Sequence, residues 1–213
     1  MKNNIKIAVI GGTGKSGRYL VQELIKRGYH LNILVRNPEN FKVQSRLVHI
    51  IYGDVRDYDT VKSLLRGCQA VLSTLGGSPL SEPTVFSKAT RNILKAMKRA
   101  NIKRYIVVAG LNVNTSFDKK GESTLNATDW MYANFPKSTK DRQDEYDLLV
   151  KSNLDWTLVR LPLIIQTNES FITKISLEDC LGDKISAADL AKFLIEQLNE
   201  TSFFRKAPFL ANV

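Results

Sequence analysis

One stretch, Ile5 to Arg36, limits what this chain can fold into more than any other. It reads I-K-I-A-V-I-G-G-T-G-K-S-G-R-Y-L-V-Q-E-L-I-K-R-G-Y-H-L-N-I-L-V-R: a strand, a glycine-rich turn, a helix and a second strand. Ile5, Ile7, Ala8, Val9 and Ile10 form the short apolar run expected of a strand buried on both faces. Gly11, Gly14 and Gly17 follow at three-residue spacing. In such a unit Gly11 suits the tight turn, Gly14 lets backbone approach a phosphate, and Gly17 lets the helix sit close to the strand. The helix, from about Ser16 to Arg27, keeps Leu20, Val21, Leu24 and Ile25 on one face, and Gly28 suits its C-terminal end. Unpaired N–H groups at its N-terminus, together with the helix dipole, make an anion site. The bland alternative is a tight strand–helix turn that binds nothing.

The end of the second strand says more than the glycines do. Dinucleotide folds that take NAD place an Asp or Glu near this point to hold the ribose 2′-hydroxyl, whereas a basic residue suits a 2′-phosphate. The strand from Leu31 to Val35 runs into Arg36, which argues for NADP(H). Gly14-Lys15-Ser16 also invites a phosphate-loop reading, but that motif needs a glycine five residues before its Gly-Lys-Ser. Val9 stands there, inside the strand, so a nucleotide triphosphatase is rejected.

At 213 residues the chain has the length of one domain, and 1–213 is read as a single unit. Hydrophobic residues make up 43% and charged residues 24%, which excludes disordered and fibrous classes. No apolar run reaches membrane-spanning length, and the N-terminal apolar run enters a glycine turn rather than a cleavage site. Cys68 and Cys180 read as free thiols in a reducing compartment, and the expected location is the cytoplasm. His30 and His49 stand alone, so no metal is expected. The formal charge of +10 fits a basic surface or an anionic ligand; its cations are scattered, and nucleic acid is not the expected partner.

Along the chain, Asn37-Pro38-Glu39-Asn40 reads as a turn and Leu47 to Tyr52 as a third strand. Asp54, just past that strand, is placed to hydrogen-bond an adenine amino group, with Val55 against the ring. Asp59 is a candidate cap for the helix carrying Val61, Leu64 and Leu65, closed by Gly67. A fourth strand, Gln69 to Thr74, leads into Leu75-Gly76-Gly77-Ser78-Pro79, a second loop able to pass close to a cofactor. Pro83 to Ala100 is a helix and Arg104 to Val108 a fifth strand, followed by Ala109-Gly110. Periodicity is lost from Leu111 to Lys137, and this segment is expected to be a lid or an aromatic-bearing loop packed on the surface. Ser138 to Val150 is helical and Asp155 to Arg160 a sixth strand. Residues 161–184 are expected to be irregular and, with 111–137, to form the substrate side. Ser186-Ala187-Ala188-Asp189 resembles a capping box opening a helix with Leu190, Phe193, Leu194 and Leu198, before a last strand from Ala207 to Leu210. This alternation predicts an α/β chain: a single Rossmann-fold domain with a doubly wound, mostly parallel sheet and helices on both faces. Gly11, Arg36, Asp54, Gly76 and Ala109 then converge on one rim, where ligands bind in such sheets.

Read whole, the chain resembles an atypical short-chain dehydrogenase/reductase of the NAD(P)-binding, NmrA-like and flavin/biliverdin-reductase-like group. The segments that carry the resemblance are G-G-T-G-K-S-G, L-V-R-N-P, G-D-V-R-D, S-N-L-D-W-T-L-V-R-L-P and I-S-A-A-D-L-A. The resemblance implies that Thr13, Gly14, Lys15 and Ser16 hold the pyrophosphate and Arg36 the 2′-phosphate. It also implies Asp54 and Val55 at adenine, and Leu75 and Gly76 beside the ribose. The wider superfamily's Tyr-x-x-x-Lys pair falls here on Ser138 and Arg142, and its Ser on Ala109 or Gly110, so the usual acid/base set is missing and no catalytic residue is assigned. Arg142 is nominated to orient the nicotinamide ribose, against a plain surface role. Two functions follow. The first is an NADP(H)-dependent oxidoreductase acting on a small conjugated or aromatic acceptor of the quinone or flavin type. The second is a non-catalytic NADP(H)-binding redox sensor of the NmrA kind that regulates a protein partner. A monomer or weak homodimer is expected in either case.

Overall fold

A computed structural model describes residues 5–77 and 82–213; Ser78 and Pro79 of the second glycine loop lie outside them. Strands and helices alternate from the start: β1 (Lys6–Ile10), α1 (Gly17–Lys26), β2 (His30–Val35), β3 (Val48–Tyr52), α2 (Tyr58–Leu64), β4 (Ala70–Ser73), α3 (Val85–Ala100) and β5 (Arg104–Gly110). Two helices in succession, α4 (Glu122–Asn134) and α5 (Pro136–Val150), lead into β6 (Asp155–Leu161). The chain closes with β7 (Leu163–Ile165), β8 (Thr173–Ser176), β9 (Lys184–Ser186), α6 (Ala187–Glu196) and β10 (Phe209–Asn212).

The strands form one sheet in the order β3-β2-β1-β4-β5-β6-β10-β9-β7, with β8 on β10. The first six are parallel, and register carries Ile7 opposite Leu31 on one side and Ala70 on the other. β8 and β9 run antiparallel to β10. Alternate side chains of each strand feed two cores. Ala8, Ile10, Val71 and Val107 join Val61, Phe86 and Leu149 under α2, α3 and α5. Ile7, Val9, Leu72 and Ile106 join Leu20, Leu24, Leu190 and Leu194 under α1 and α6. Each such Val, Leu, Ile or Phe side chain contributes roughly 1.5–3 kcal/mol by leaving water, so the helical stripes and the strand pattern decide the same layering. The doubly wound α/β sheet expected from sequence is the sheet found.

Several local expectations are corrected. Segment 111–137 contains α4, a helix with no apolar stripe: its buried residues are Thr124 and Thr128, while Leu125 and Trp130 are exposed. Thr128 turns its hydroxyl onto the Thr124 carbonyl, which lets a polar residue face inward without an unpaired group. Hydrophobic periodicity therefore could not announce this helix. Its partner α5 begins at Pro136, two residues before the expected start, because proline fits the first helical turn. Segment 161–184 is not irregular throughout; it supplies β7 and β8. The last strand, β10, begins two residues later than expected, at Phe209.

Two caps differ as well. Asp57, not Asp59, caps α2, accepting from Thr60 N at 2.9 Å. Ser186 caps α6 by accepting from Asp189 N, but the box is half formed. The Asp189 carboxylate instead accepts from Phe171 N and Asn212 Nδ2, and Ser186 N donates to Asn212 Oδ1. At the end of α1 the expectation holds: Gly28 has φ +79°, and the N–H groups of Gly28 and Tyr29 close on the Ile25 and Leu24 carbonyls.

The expected loop between α4 and β5 is anchored by two buried cations. Arg160, near the C-terminal end of β6, has no exposed surface. It donates to the carbonyls of Ala207 (2.8 Å), Val113 (3.1 Å) and Leu177 (3.0 Å), and pairs with Asp118 at 2.6 Å. Lys120 Nζ donates to the Leu111 carbonyl at 2.8 Å and to Asn114 Oδ1 at 2.7 Å. Segments 111–121 and 177–179 are thus held to the sheet by charge and hydrogen bonding, to which the former adds the buried Leu111 and Val113.

Candidate functional site

The strand order reverses between β1 and β4: β2 and β3 lie on one side, β5 and β6 on the other. In an open α/β sheet the crevice outside this point is where ligands bind. Gly11 leaves β1 with φ +78°, and a Cβ there would stand 2.6 Å from both the carbonyl carbon and oxygen of Thr74. Glycine is therefore required twice over, by backbone conformation and by the crossing of two main chains. A Cβ on Gly17 would fall on the Gly11 carbonyl oxygen, so the first turn of α1 sits directly against the turn that precedes it. Gly14 N donates back to that same carbonyl at 3.0 Å, and Thr74 Oγ1 donates to it at 3.2 Å. The turn is thus fixed in shape. Gly14 and Lys15 are exposed on it, Thr13 is half-buried, and Ser16 stands at the helix N-cap with no side-chain cap bond. The N–H groups of the first helical turn lack partners within the helix, and they meet the dipole's positive end here. This arrangement fits a pyrophosphate.

Arg36, immediately past β2, is exposed and lies close enough to Asp54 to help lower the pKa of its carboxyl. The main cause of that lowering is Arg56, which donates through its backbone N (2.8 Å), Nε (2.9 Å) and Nη2 (2.8 Å) to the Asp54 carboxylate. Arg56 also reaches Glu82 at 2.9 Å. Asp54 is thus held ionised and oriented, with lone pairs left for a further donor. An open hollow of about 570 Å³ is lined by Asp54, Arg56, Asp57, Glu82 and Lys88. It is large enough for a purine, but it adjoins the end of β3, away from β5 and β6. Val55 turns inward, buried among Val61, Leu64 and Ile10, so its side chain is part of the core.

The loop after β4 carries Leu75, half-buried, and Gly76, exposed with open space where a Cβ would be. Arg142 meets this loop. It is not the surface residue considered above, for it is buried, its guanidinium lies 3.3 Å over the Phe86 ring, and its Nη2 donates to the Leu75 carbonyl at 2.5 Å. Its other arm pairs with the buried Glu145 at 2.6 Å, which also accepts from Thr90 Oγ1. Asp141, one residue earlier, accepts from Phe86 N at 2.8 Å and caps α3 from another helix. These three residues of α5 steady the segments on both sides of the second glycine loop. Sequence reasoning missed Asp141 and Glu145; the available signal was two carboxylates at helical spacing on a face otherwise expected to be buried.

Ala109 ends the core of β5, and Gly110 follows it at the rim. A Cβ on Gly110 would stand 2.8 Å from Asn112 Oδ1 and 2.8 Å from Met131 Cε, so α4 reaches over this end of the sheet through Met131. Trp130 and Phe135 meet edge to face at 5.7 Å but stay 58% and 46% exposed, so neither packs down on the domain. Arg18 Nη2 donates to Gln166 Oε1 at 2.8 Å, which ties α1 to the segment after β7. Among the described residues no group of three or more His, Cys, Asp or Glu is placed to hold a metal.

A glycine turn at a strand-order reversal, opening a helix and flanked by a basic residue after β2, defines a dinucleotide-binding Rossmann domain. The chain belongs to the NAD(P)H-binding family, whose model matches residues 11–201. Among solved structures it is similar to a candidate NADH-flavin reductase from Streptococcus pneumoniae TIGR4, 25% identical with TM-score 0.79, covering 99% of this chain and 100% of that one. It is also similar to a short-chain dehydrogenase/reductase from Veillonella parvula in complex with NADP, 18% identical with TM-score 0.78, covering 98% and 94%. Among curated proteins it matches the isoflavone reductase homolog A622-like of Nicotiana tabacum, 34% identical over 111 residues, which is 47% of this chain and 34% of the relative. The matched stretch thus spans about a third of that relative's length. The family resemblance read from the motifs is borne out, as is a nicotinamide dinucleotide as the cofactor class.

Proposed function

We propose that this protein is an NADP(H)-dependent reductase of small planar conjugated acceptors of the quinone or flavin kind. The bound cofactor supplies the hydride. Thr13, Gly14, Lys15 and Ser16 hold its pyrophosphate at the N-terminus of α1, and the exposed Arg36 takes the 2′-phosphate. Asp54, oriented by Arg56, accepts from the adenine amino group. Leu75 and Gly76 run beside the ribose, with the Leu75 carbonyl steadied by Arg142 rather than the ribose held by it.

The observation that carries the acceptor class is the end of β5. Ala109 and Gly110 bring no proton donor there, and Ser138 and Arg142 replace the tyrosine and lysine that would protonate an alkoxide. Ketone and alcohol chemistry needs an acid near the oxygen, whereas a quinone or flavin takes its proton from water after hydride transfer. The similarity to the Streptococcus pneumoniae candidate NADH-flavin reductase supports the same class. The reading takes residues 1–213 as one domain acting on a small molecule in the cytoplasm, as a monomer or weak homodimer; no helix among the described residues is long and apolar enough to cross a membrane.

The test is calorimetric titration with NADPH, NADP and NADH, followed by NADPH oxidation against a panel of quinones and flavins. Tight NADPH binding with turnover is expected. Tight binding with no turnover on any acceptor would overturn the reductase and leave a redox sensor acting through a protein partner.

A further inference from the structure

Six buried side-chain atoms have no hydrogen-bond partner among the described residues, and Asn112 Oδ1 is the one beside the C-terminal end of β5. Asn112 has no exposed surface. Its Nδ2 donates to the Thr139 carbonyl at 2.9 Å, which fixes the amide so that the oxygen is the atom left over. A buried acceptor without a partner is rare in a folded protein and has a reason where it occurs.

The position of that oxygen supplies one. It stands 2.8 Å from where a Cβ would project from Gly110, so it fills space that a side chain at the end of β5 would otherwise take. Met131 Cε closes the same space from α4. Gly110 and Met131 are each only half-buried, and methionine is the most easily rearranged of the large apolar side chains. With adenine on the β2 and β3 side of the strand-order reversal, the nicotinamide half of a dinucleotide extends toward β5 and β6.

We propose that Asn112 Oδ1 accepts a hydrogen bond from an N–H group of the ligand at the end of β5, and that this group is the nicotinamide carboxamide, admitted when Met131 swings aside. Asn112 is then a cofactor-binding residue that orients the ring through its amide. This rests on the NADP(H) reading above. The same acceptor would also suit the ring N–H of a flavin, so the test must separate the two sources.

The probes are NADP and its 3-acetylpyridine analogue, which keeps the carbonyl but has no N–H to donate. The wild-type protein should bind NADP about tenfold more tightly, the worth of one good hydrogen bond to a buried group. Asn112→Leu should bring the ratio of the two dissociation constants close to one. Asn112→Asp, which keeps an acceptor, should preserve the preference, and so should Met131→Ala, which leaves Asn112 untouched. A merely structural Asn112 would weaken both ligands alike and leave the ratio unchanged in Asn112→Leu, which would overturn the proposal. Equal wild-type affinities would also overturn it. If, in that case, Asn112→Leu raised KM for a flavin but not for a quinone lacking N–H, the donor would belong to the acceptor and not to the cofactor. Failure of the wild type to bind either nucleotide would refute the NADP(H) reading itself, an outcome distinct from equal binding.

Discussion

Replacing Arg36 by glutamate tests the cofactor assignment most directly. Arg36 is exposed, follows the last residue of β2 and lies near Asp54, and the proposed function gives it the 2′-phosphate. A charge-assisted hydrogen bond of this kind contributes roughly 1.5–3 kcal/mol. Arg36→Glu removes it and sets a carboxylate against the phosphate, which adds about 1 kcal/mol or more of repulsion at a solvated surface. Together these predict a loss of NADPH affinity of at least about tenfold, and of a few hundredfold if both contributions are fully expressed. NADH carries no 2′-phosphate, and the new carboxylate can accept from its ribose hydroxyl. Its affinity should hold or improve, and the preference between the two cofactors should invert. Because the side chain is exposed, the melting temperature should stay almost unchanged, as surface substitutions shift stability by about 0.5 kcal/mol or less. Fluorescence or calorimetric titration with both nucleotides, at low salt and again at high salt, measures all of this; wild-type NADPH binding should weaken with salt as the exposed charge is screened. Unchanged NADPH affinity in Arg36→Glu would refute the reasoning.

The buried Arg160 should matter through stability instead. Arg160→Met removes one donor from each of three carbonyls and a charged partner of the Asp118 carboxylate, which keeps the hydrogen bonds from Thr115. Breaking such a pair costs about 3–5 kcal/mol, so urea denaturation should show a loss of that order and limited proteolysis should cut within 111–121; a loss below about 1 kcal/mol would sink the anchoring role. Arg56→Ala should raise the pH at which Asp54 takes up its proton. Asp54 has a depressed pKa in the folded state, so its contribution is present above the unfolded carboxylate value and fades as pH falls through the folded one. The variant should therefore lose stability at a higher pH during acid titration, and coincident curves would count against the Asp54–Arg56 pairing. Burial pushes the Cys68 thiol up to about 11 and raises Cys180 as well. Both should react slowly with iodoacetamide at pH 8 in the folded protein and quickly in urea, as mass spectrometry would show; fast native labelling of Cys68 would contradict its burial.

Much of the candidate site was legible because its signals are local. Gly11, Gly14 and Gly17 are spaced by the geometry of one turn, Arg36 is placed by the length of one strand, and alternating apolar runs imply a parallel sheet whose strand ends share a rim. Helix α4 was illegible because it turns threonines inward and leaves Trp130 outside, so it has no stripe to read. Strands β7 and β8 were missed because they are short and mostly exposed, and apolar patterning does not mark strands whose side chains are not buried.

The sequence by itself determined the layered α/β sheet, the glycine turn that opens α1 and the basic residue that follows β2, since backbone geometry and the burial of apolar stripes act over a few residues. Only the tertiary structure decided what the polar residues do. Arg142 lies 67 residues from the Leu75 carbonyl it holds, Arg160 ties β6 to three separate segments, and Asn112, in the loop after β5, meets Met131 of α4 beside Gly110. A buried charge or amide is specified by the partners that satisfy it, and those partners are brought together only when the chain has folded.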